Sequence, residues 1–162
     1  MTSMHAVRRG LALLLLSVAG HAAADCKEVV QVQPPLMIGT CADLRHRDFR
    51  HVQMRGARLD GSRLSQSRLD YANLAQASLV GVTMVYSNLS HANLSGADLR
   101  NASLHDSIFT LTNLGGADLR GADLAEAKLY GANLRGALFD DSTVLPFSQD
   151  IAFQKGMVKR PN

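Results

Sequence analysis

The sequence predicts a solenoid, a chain wound repeatedly around one apolar axis. Three observations carry that expectation. An apolar residue returns at every fifth position from Leu44 to Val144. A small residue stands two positions before almost every one of them. Five is also a period that neither regular element can use. On a helix of about 3.6 residues per turn, residues five apart point about 140° apart and smear around the cylinder. On a strand, an odd step sends successive side chains to opposite faces. A chain with this period must turn one corner per repeat, so that each apolar side chain meets a common axis.

The elements follow in chain order. Arg8 and Arg9 precede an apolar run from Leu11 to Ala19, and Ala22-Ala23-Ala24 supplies small residues for a peptidase. That is the pattern of a secretory signal peptide, expected over residues 1–24. The apolar run is shorter than the about 20 residues a bilayer span needs, so no membrane span is expected after cleavage. Removing residues 1–24 takes away two arginines and no acid, lowering the formal charge from +3 to +1. A near-neutral mature chain gives no electrostatic reason to expect a nucleic-acid partner. Residues 25–41 are the expected N-terminal cap, stiffened by Pro34-Pro35. They hold both cysteines, Cys26 and Cys41. In an oxidising compartment an isolated pair reads as a disulfide. The alternatives are a redox pair or a metal pair, but the spacing fits neither C-x-x-C nor a zinc half-site.

Residues 42–146 carry the repeats. Stepping by five through Leu119, the frame takes in 21 apolar positions, 15 of them leucine, and is expected to run from 44 to 144 without a slip. The preceding small position is Ala twelve times and Ser five times; Arg47 is the one charged exception, read as a distorted start. The unit Ala117-Asp118-Leu119-Arg120-Gly121 resembles the A-[DN]-L-x-x motif of pentapeptide-repeat proteins. The resemblance implies an all-β fold, a right-handed quadrilateral β-helix with four pentapeptides per coil. The leucine and the small residue would point inward. Twenty-one repeats then make about five coils, a tube roughly 25 Å long at about 4.8 Å per coil. Phe49, Phe109 and Phe139 occupy large-residue positions and read as core.

Both ends of such a tube need covering, because unpaired edges template further pairing. Pro146 is expected to stop the repeat, and residues 147–162 to form the C-terminal cap. A short helix over 148–155 would turn Phe147 and Ile151 toward the last coil. By resemblance this cap also suits an end-to-end homodimer, with Phe147, Ile151, Phe153 and Met157 as its apolar surface.

Four repeats per coil stack residues 20 apart. Gln53, Asn73, Asn93, Asn113 and Asn133 then form one uncharged column beside small neighbours, a candidate binding face. Amide ladders are also structural devices in their own right. His51, Tyr71 and His91 form another column, with Tyr86 near an adjacent corner. This second candidate surface could grip a ligand or cover the corner. The arginine-rich stretch 45–68 places acids in register: Asp43 with Arg63, Asp48 with Arg68, Arg50 with Asp70. Its expected role is solvated charge ladders rather than a polyanion site.

No nucleophile elbow, P-loop, zinc helix motif or dinucleotide turn occurs. No catalytic residue, metal site or cofactor is therefore expected. Asp98 and Asp118 alternate with Arg100 and Arg120 and read as ion pairs rather than a general acid and base. The leading expectation is a periplasmic or secreted, non-enzymatic scaffold that binds a protein partner. One alternative comes from the resemblance: some pentapeptide-repeat proteins imitate duplex DNA and bind a topoisomerase. The export signal and near-neutral surface disfavour it here. A binder or hydrolase of an anionic envelope polymer is the other alternative.

Overall fold

The computed structural model describes residues 40–161. The expected signal peptide 1–24, most of the cap 25–41, Cys26 and Asn162 lie outside the described residues.

The chain winds as a four-sided β-helix. Parallel bridges join residues 20 apart on all four sides, from Asp43↔Arg63 and Asp48↔Arg68 to Asn113↔Asn133 and Asp118↔Leu138. One repeat shows how the backbone is satisfied. Asn93 N donates to Ala72 O one coil back, at 2.9 Å, and Leu94 N to Asn113 O one coil on, at 2.7 Å. Gly96 N reaches Gly115 O, and Ala97 N closes the corner on Leu94 O, both at 3.0 Å. The fifth amide, Ser95 N, has no backbone partner and donates to Asn93 Oδ1 at 3.1 Å. Every N–H of the repeat is thus used, which a buried backbone requires. The physical reason for Asn or Asp before the leucine is now visible: its side chain accepts from the amide two residues on, as in an Asx turn.

Each corner residue takes φ between 56° and 72°, at every fifth position from Cys41 to Gly136. Glycine adopts that conformation without a steric cost, and other residues accept a penalty of about 1–2 kcal/mol. His51, Tyr71, His91 and Leu111 all stand at such corners. The tube's large-residue positions from Leu44 to Phe139 are buried, including Phe49, Phe109 and Phe139. Alanine fills most small positions. Where a hydroxyl replaces it, the oxygen donates inside the tube: Ser67 Oγ to Leu44 O, Ser87 Oγ to Leu64 O, and Thr112 Oγ1 to Leu89 O, at 2.6–2.9 Å. Arg47 keeps the backbone register, since Arg68 N donates to Arg47 O at 2.9 Å, while its side chain is exposed.

Two expectations need correcting. The frame does slip, by one residue after Phe139. Asp123 pairs with Val144, 21 residues on, so Val144 occupies a surface position and is exposed. Leu145 packs against the core in its place. Thr143 Oγ1 confirms the shift by meeting Leu119 O at 3.1 Å, 24 residues back instead of the usual 23. The extra residue accommodates the turn around Asp140.

The C-terminal segment also differs. β1, Leu138–Phe139, pairs in parallel with β2, Val158–Lys159, so coil pairing resumes after Pro146. Between them lies α1, Gln149–Gln154. Its buried residue is Ala152, not Ile151, which is 40% exposed. Six residues make fewer than two turns, so β2's register, not the helix's own pattern, sets which side packs. Met157 is buried beneath the last coil and supplies no outer surface. Phe147 packs partly against the core, with Lys155 Nζ 5.6 Å from its ring centre. Phe153 is half exposed and leans on Phe139, ring centres 5.5 Å apart. Asp141 and Lys159 form an ion pair beside the cap. No helix among the described residues is long and apolar enough to cross a membrane.

Candidate functional site

The side of the tube built from residues 51–56, 71–76, 91–96, 111–116 and 131–136 gathers both candidate surfaces. Its middle row is Gln53, Asn73, Asn93, Asn113 and Asn133, each bridged to the next. Side-chain amides continue the pairing outward. Asn73 Nδ2 donates to Gln53 Oε1 at 3.0 Å, Asn113 Nδ2 to Asn93 Oδ1 at 3.3 Å, and Asn133 Nδ2 to Asn113 Oδ1 at 2.9 Å. Each asparagine Oδ1 also accepts the backbone amide two residues on: Asn73 from Ala75 N at 3.2 Å, and Asn93, Asn113 and Asn133 from Ser95 N, Gly115 N and Arg135 N at 3.1 Å.

Along one edge runs the ring column. His51 and Tyr71 stack with centroids 5.0 Å apart and planes 10° apart; Tyr71 and His91 stack at 4.7 Å and 2°. The spacing is that of successive coils, so equivalent corners deliver the rings face to face. Leu111, half exposed, continues the ridge. Tyr86 does not join it. It stands on another corner, edge-on to His105 at 6.0 Å, and His105 Nδ1 lies 3.0 Å from Asp106 Oδ2.

Along the other edge the side chains shrink to Ala75, Ser95 and Gly115, with Arg55 and Arg135 at the two ends. A shallow depression of about 300 Å³ opens there, lined by Arg55, Asn73, Ala75, Gln76, Asn93, Ser95 and Gly96. Arg55 borders it, donating through Nε and Nη2 to Gln76 Oε1 at 3.3 and 2.9 Å. The five segments of this side contain no Asp or Glu.

The acids of the coils lie on the other three sides, and four of them pair with an arginine two residues on. Asp43–Arg45, Asp48–Arg50, Asp98–Arg100 and Asp118–Arg120 close at 2.6–2.7 Å. The Arg45 guanidinium holds the Asp43 carboxyl down at about 2, and Arg50 does the same for Asp48. Arg100 likewise lowers Asp98. The expected cross-coil register is present, yet of those pairs Asp43–Arg63 closes to 3.4 Å, while Arg68 Nε sits 3.7 Å from Asp70 instead. The recurring D-x-R spacing at 43, 48, 98 and 118 is the signal that would have revealed the shorter clamps. Exposed pairs of this kind contribute about 0–1 kcal/mol each. Each clamp cancels the charge of its own carboxylate. Among the described residues no group of three or more His, Cys, Asp or Glu could hold a metal ion.

The pentapeptide-repeat family model matches the chain in eight copies, over residues 40–74, 48–85, 77–116 and 109–141. No curated protein matches it. Similar solved structures include a pentapeptide repeat protein from the Arabidopsis thaliana thylakoid lumen, 29% identical over 68% of this chain and 71% of that one, TM-score 0.49. HetL, a pentapeptide repeat protein involved in heterocyst differentiation regulation in the cyanobacterium Nostoc, is 25% identical over 78% of this chain and 69% of its own, TM-score 0.46. QnrB1, a plasmid-mediated fluoroquinolone resistance protein, is 15% identical over 65% and 76%, TM-score 0.28.

Proposed function

The chain belongs to the pentapeptide-repeat family, whose members fold as right-handed quadrilateral β-helices, and we propose that it is an exported, non-enzymatic scaffold that binds an envelope partner through its amide-lined side. The observation that carries this reading is the contrast between sides. Three carry carboxylates, four of them clamped by an arginine two residues on; the fourth carries none and holds the depression beside Asn73 and Asn93. A carboxylate-free side also argues against imitation of duplex DNA, which needs acids along its length.

Export rests on the 1–24 signal pattern. The Cys26–Cys41 disulfide belongs to the same reading, and Cys41's not being a free thiol supports it. A bridge of this loop length stabilises by about 3 kcal/mol in the chain-entropy model. The test is to recover the native protein from cell fractions and read its N-terminus by mass spectrometry. The expected product starts at Asp25, lies outside the cytoplasm, and resists alkylation until reduced. A full-length, cytoplasmic, freely alkylated chain would contradict the proposal.

The C-terminal cap gives the scaffold a second interface, to another copy of itself. Val144, Ile151, Phe153 and Val158 are each 38–50% exposed there, apolar side chains that a second copy would cover. Phe153→Asp is expected to turn a dimer into a monomer in light scattering without lowering the melting temperature by more than a few degrees. A wild-type chain that is monomeric at high concentration would remove this interface.

A further inference from the structure

We propose that the amide-lined side binds a linear, carboxylate-bearing glycan lying along the solenoid axis. This rests on the reading of that side as the binding face and names the chemistry of its occupant.

The amide row leaves hydrogen-bond donors unspent. A carboxamide has two acceptor lone pairs and two N–H donors. At Asn113, Oδ1 already accepts from Gly115 N at 3.1 Å and from Asn133 Nδ2 at 2.9 Å, which fills it. Its Nδ2 gives one hydrogen to Asn93 Oδ1, and the second is left over. Asn93 Oδ1 is filled in the same way, by Ser95 N and Asn113 Nδ2. Across the row every carboxamide keeps at least one N–H unspent, spaced about one coil apart, while one acceptor position stays open on each of Gln53, Asn73 and Asn133. Arg55 and Arg135 add guanidinium donors at the two ends of the neighbouring column, and no acid offsets them. The acid nearest in sequence, Asp70, lies toward Arg68 Nε at 3.7 Å. A side with more spare donors than open acceptors, and with arginine but no acid, calls for an acceptor-rich anion.

Geometry selects among anionic polymers. Single-stranded nucleic acids need aromatic faces for their bases and many cations for their phosphates. Here the Tyr71 ring is covered on both faces by His51 and His91, and the arginines number two. An acidic peptide running along the axis presents same-side groups about 6.7 Å apart, out of step with a row spaced by coils. In an extended, equatorially linked glycan successive pyranose units face opposite ways, so groups on one side recur every second unit, close to two coils, and its oxygens and carboxylates meet alternate donors in phase.

The test titrates the mature protein with a β-1,4-linked mannuronate hexamer by calorimetry. The comparison ligands are cellohexaose, a single-stranded oligonucleotide and oligo-glutamate. The expected result is saturable binding of the mannuronate, about tenfold or more tighter than cellohexaose, a factor one charge-assisted hydrogen bond can supply. Arg55→Gln and Arg135→Gln, exposed and outside the core, each weaken it several-fold, and Asn113→Asp weakens it further. Lys128→Gln, on another side, leaves it unchanged. Absence of saturable binding overturns the proposal, as does equal affinity for the oligonucleotide or oligo-glutamate, or an equal loss in Lys128→Gln. If the mannuronate fails while a photo-crosslinker at Ser95 still captures an envelope partner, the glycan is wrong and the binding face stands.

Discussion

Phe109→Ala is expected to lower the stability of the solenoid by about 3–5 kcal/mol, the usual cost of removing a fully buried phenylalanine. The side chain is 0% exposed at mid-tube, and its stacking neighbours on the same side are Leu89 and Leu129. Each coil is held in place by the coils on either side, so neither can collapse into the void without losing its own ladder. The backbone there is tightly committed: Phe109 N donates to Lys128 O at 2.9 Å, and Thr112 N to Phe109 O at 3.2 Å. Phe49→Ala is the internal control. Phe49 lies in the first described coil, is 6% exposed, and can be lost by fraying at one end. Urea melts followed by circular dichroism should show the larger midpoint shift for Phe109. Equal shifts would mean that the tube does not behave as a stack of coupled coils.

Asp140→Ala is expected to cost about 2–3 kcal/mol at neutral pH and progressively less in acid. Asp140 is buried at the frame slip, and its Oδ1 accepts from Gly121 N at 3.2 Å, Ser142 N at 2.9 Å and Ser142 Oγ at 2.7 Å. Its Oδ2 is buried without a hydrogen-bond partner. Burial by itself raises this carboxyl's pKa, and the bonds from Ser142, Gly121 and Thr143 outweigh that, leaving it below the ordinary value. A carboxyl depressed in the folded state stabilises fully above its unfolded pKa of about 3.9 and loses that stabilisation as pH falls through the folded value. Asp43 and Asp48, held at about 2, act in the same direction. The wild type should therefore lose stability below about pH 4, and its advantage over Asp140→Ala should shrink there. Urea midpoints across the acid range check this. A difference independent of pH would mean that Asp140 acts by shape rather than by charge.

Much of the architecture was legible because a period of five leaves few alternatives. The 20-residue register follows once four sides are assumed, and with it the ring column at His51, Tyr71 and His91. The slip at Asp140 was not legible. Val144 and Leu145 are both apolar, and Ser142 and Thr143 are both small, so either frame satisfies the pattern. The choice is made by Thr143 Oγ1 and by the acceptor Asp140 provides. At the cap, a six-residue helix has too little length to set its own phase, so Ile151 and Met157 exchanged their expected roles. On the candidate face, the asparagine row and the ring column read as separate columns. Tyr71 and Asn73 are two residues apart in one repeat, so the two columns border the same acid-free side. The sequence marks the asparagine row as an uncharged candidate face, but its joining with the ring column into one acid-free side shows only when five distant segments are stacked.

The central claim is that one side of the tube does the binding. Its most direct test is site-specific photo-crosslinking in the native envelope, with the probe placed in turn at Ser95, Asn88 and Ser103, on three different sides. The account predicts a discrete crosslinked product from Ser95 and little from the other two. Equal yield from all three, or a product from Asn88 or Ser103 alone, would contradict it.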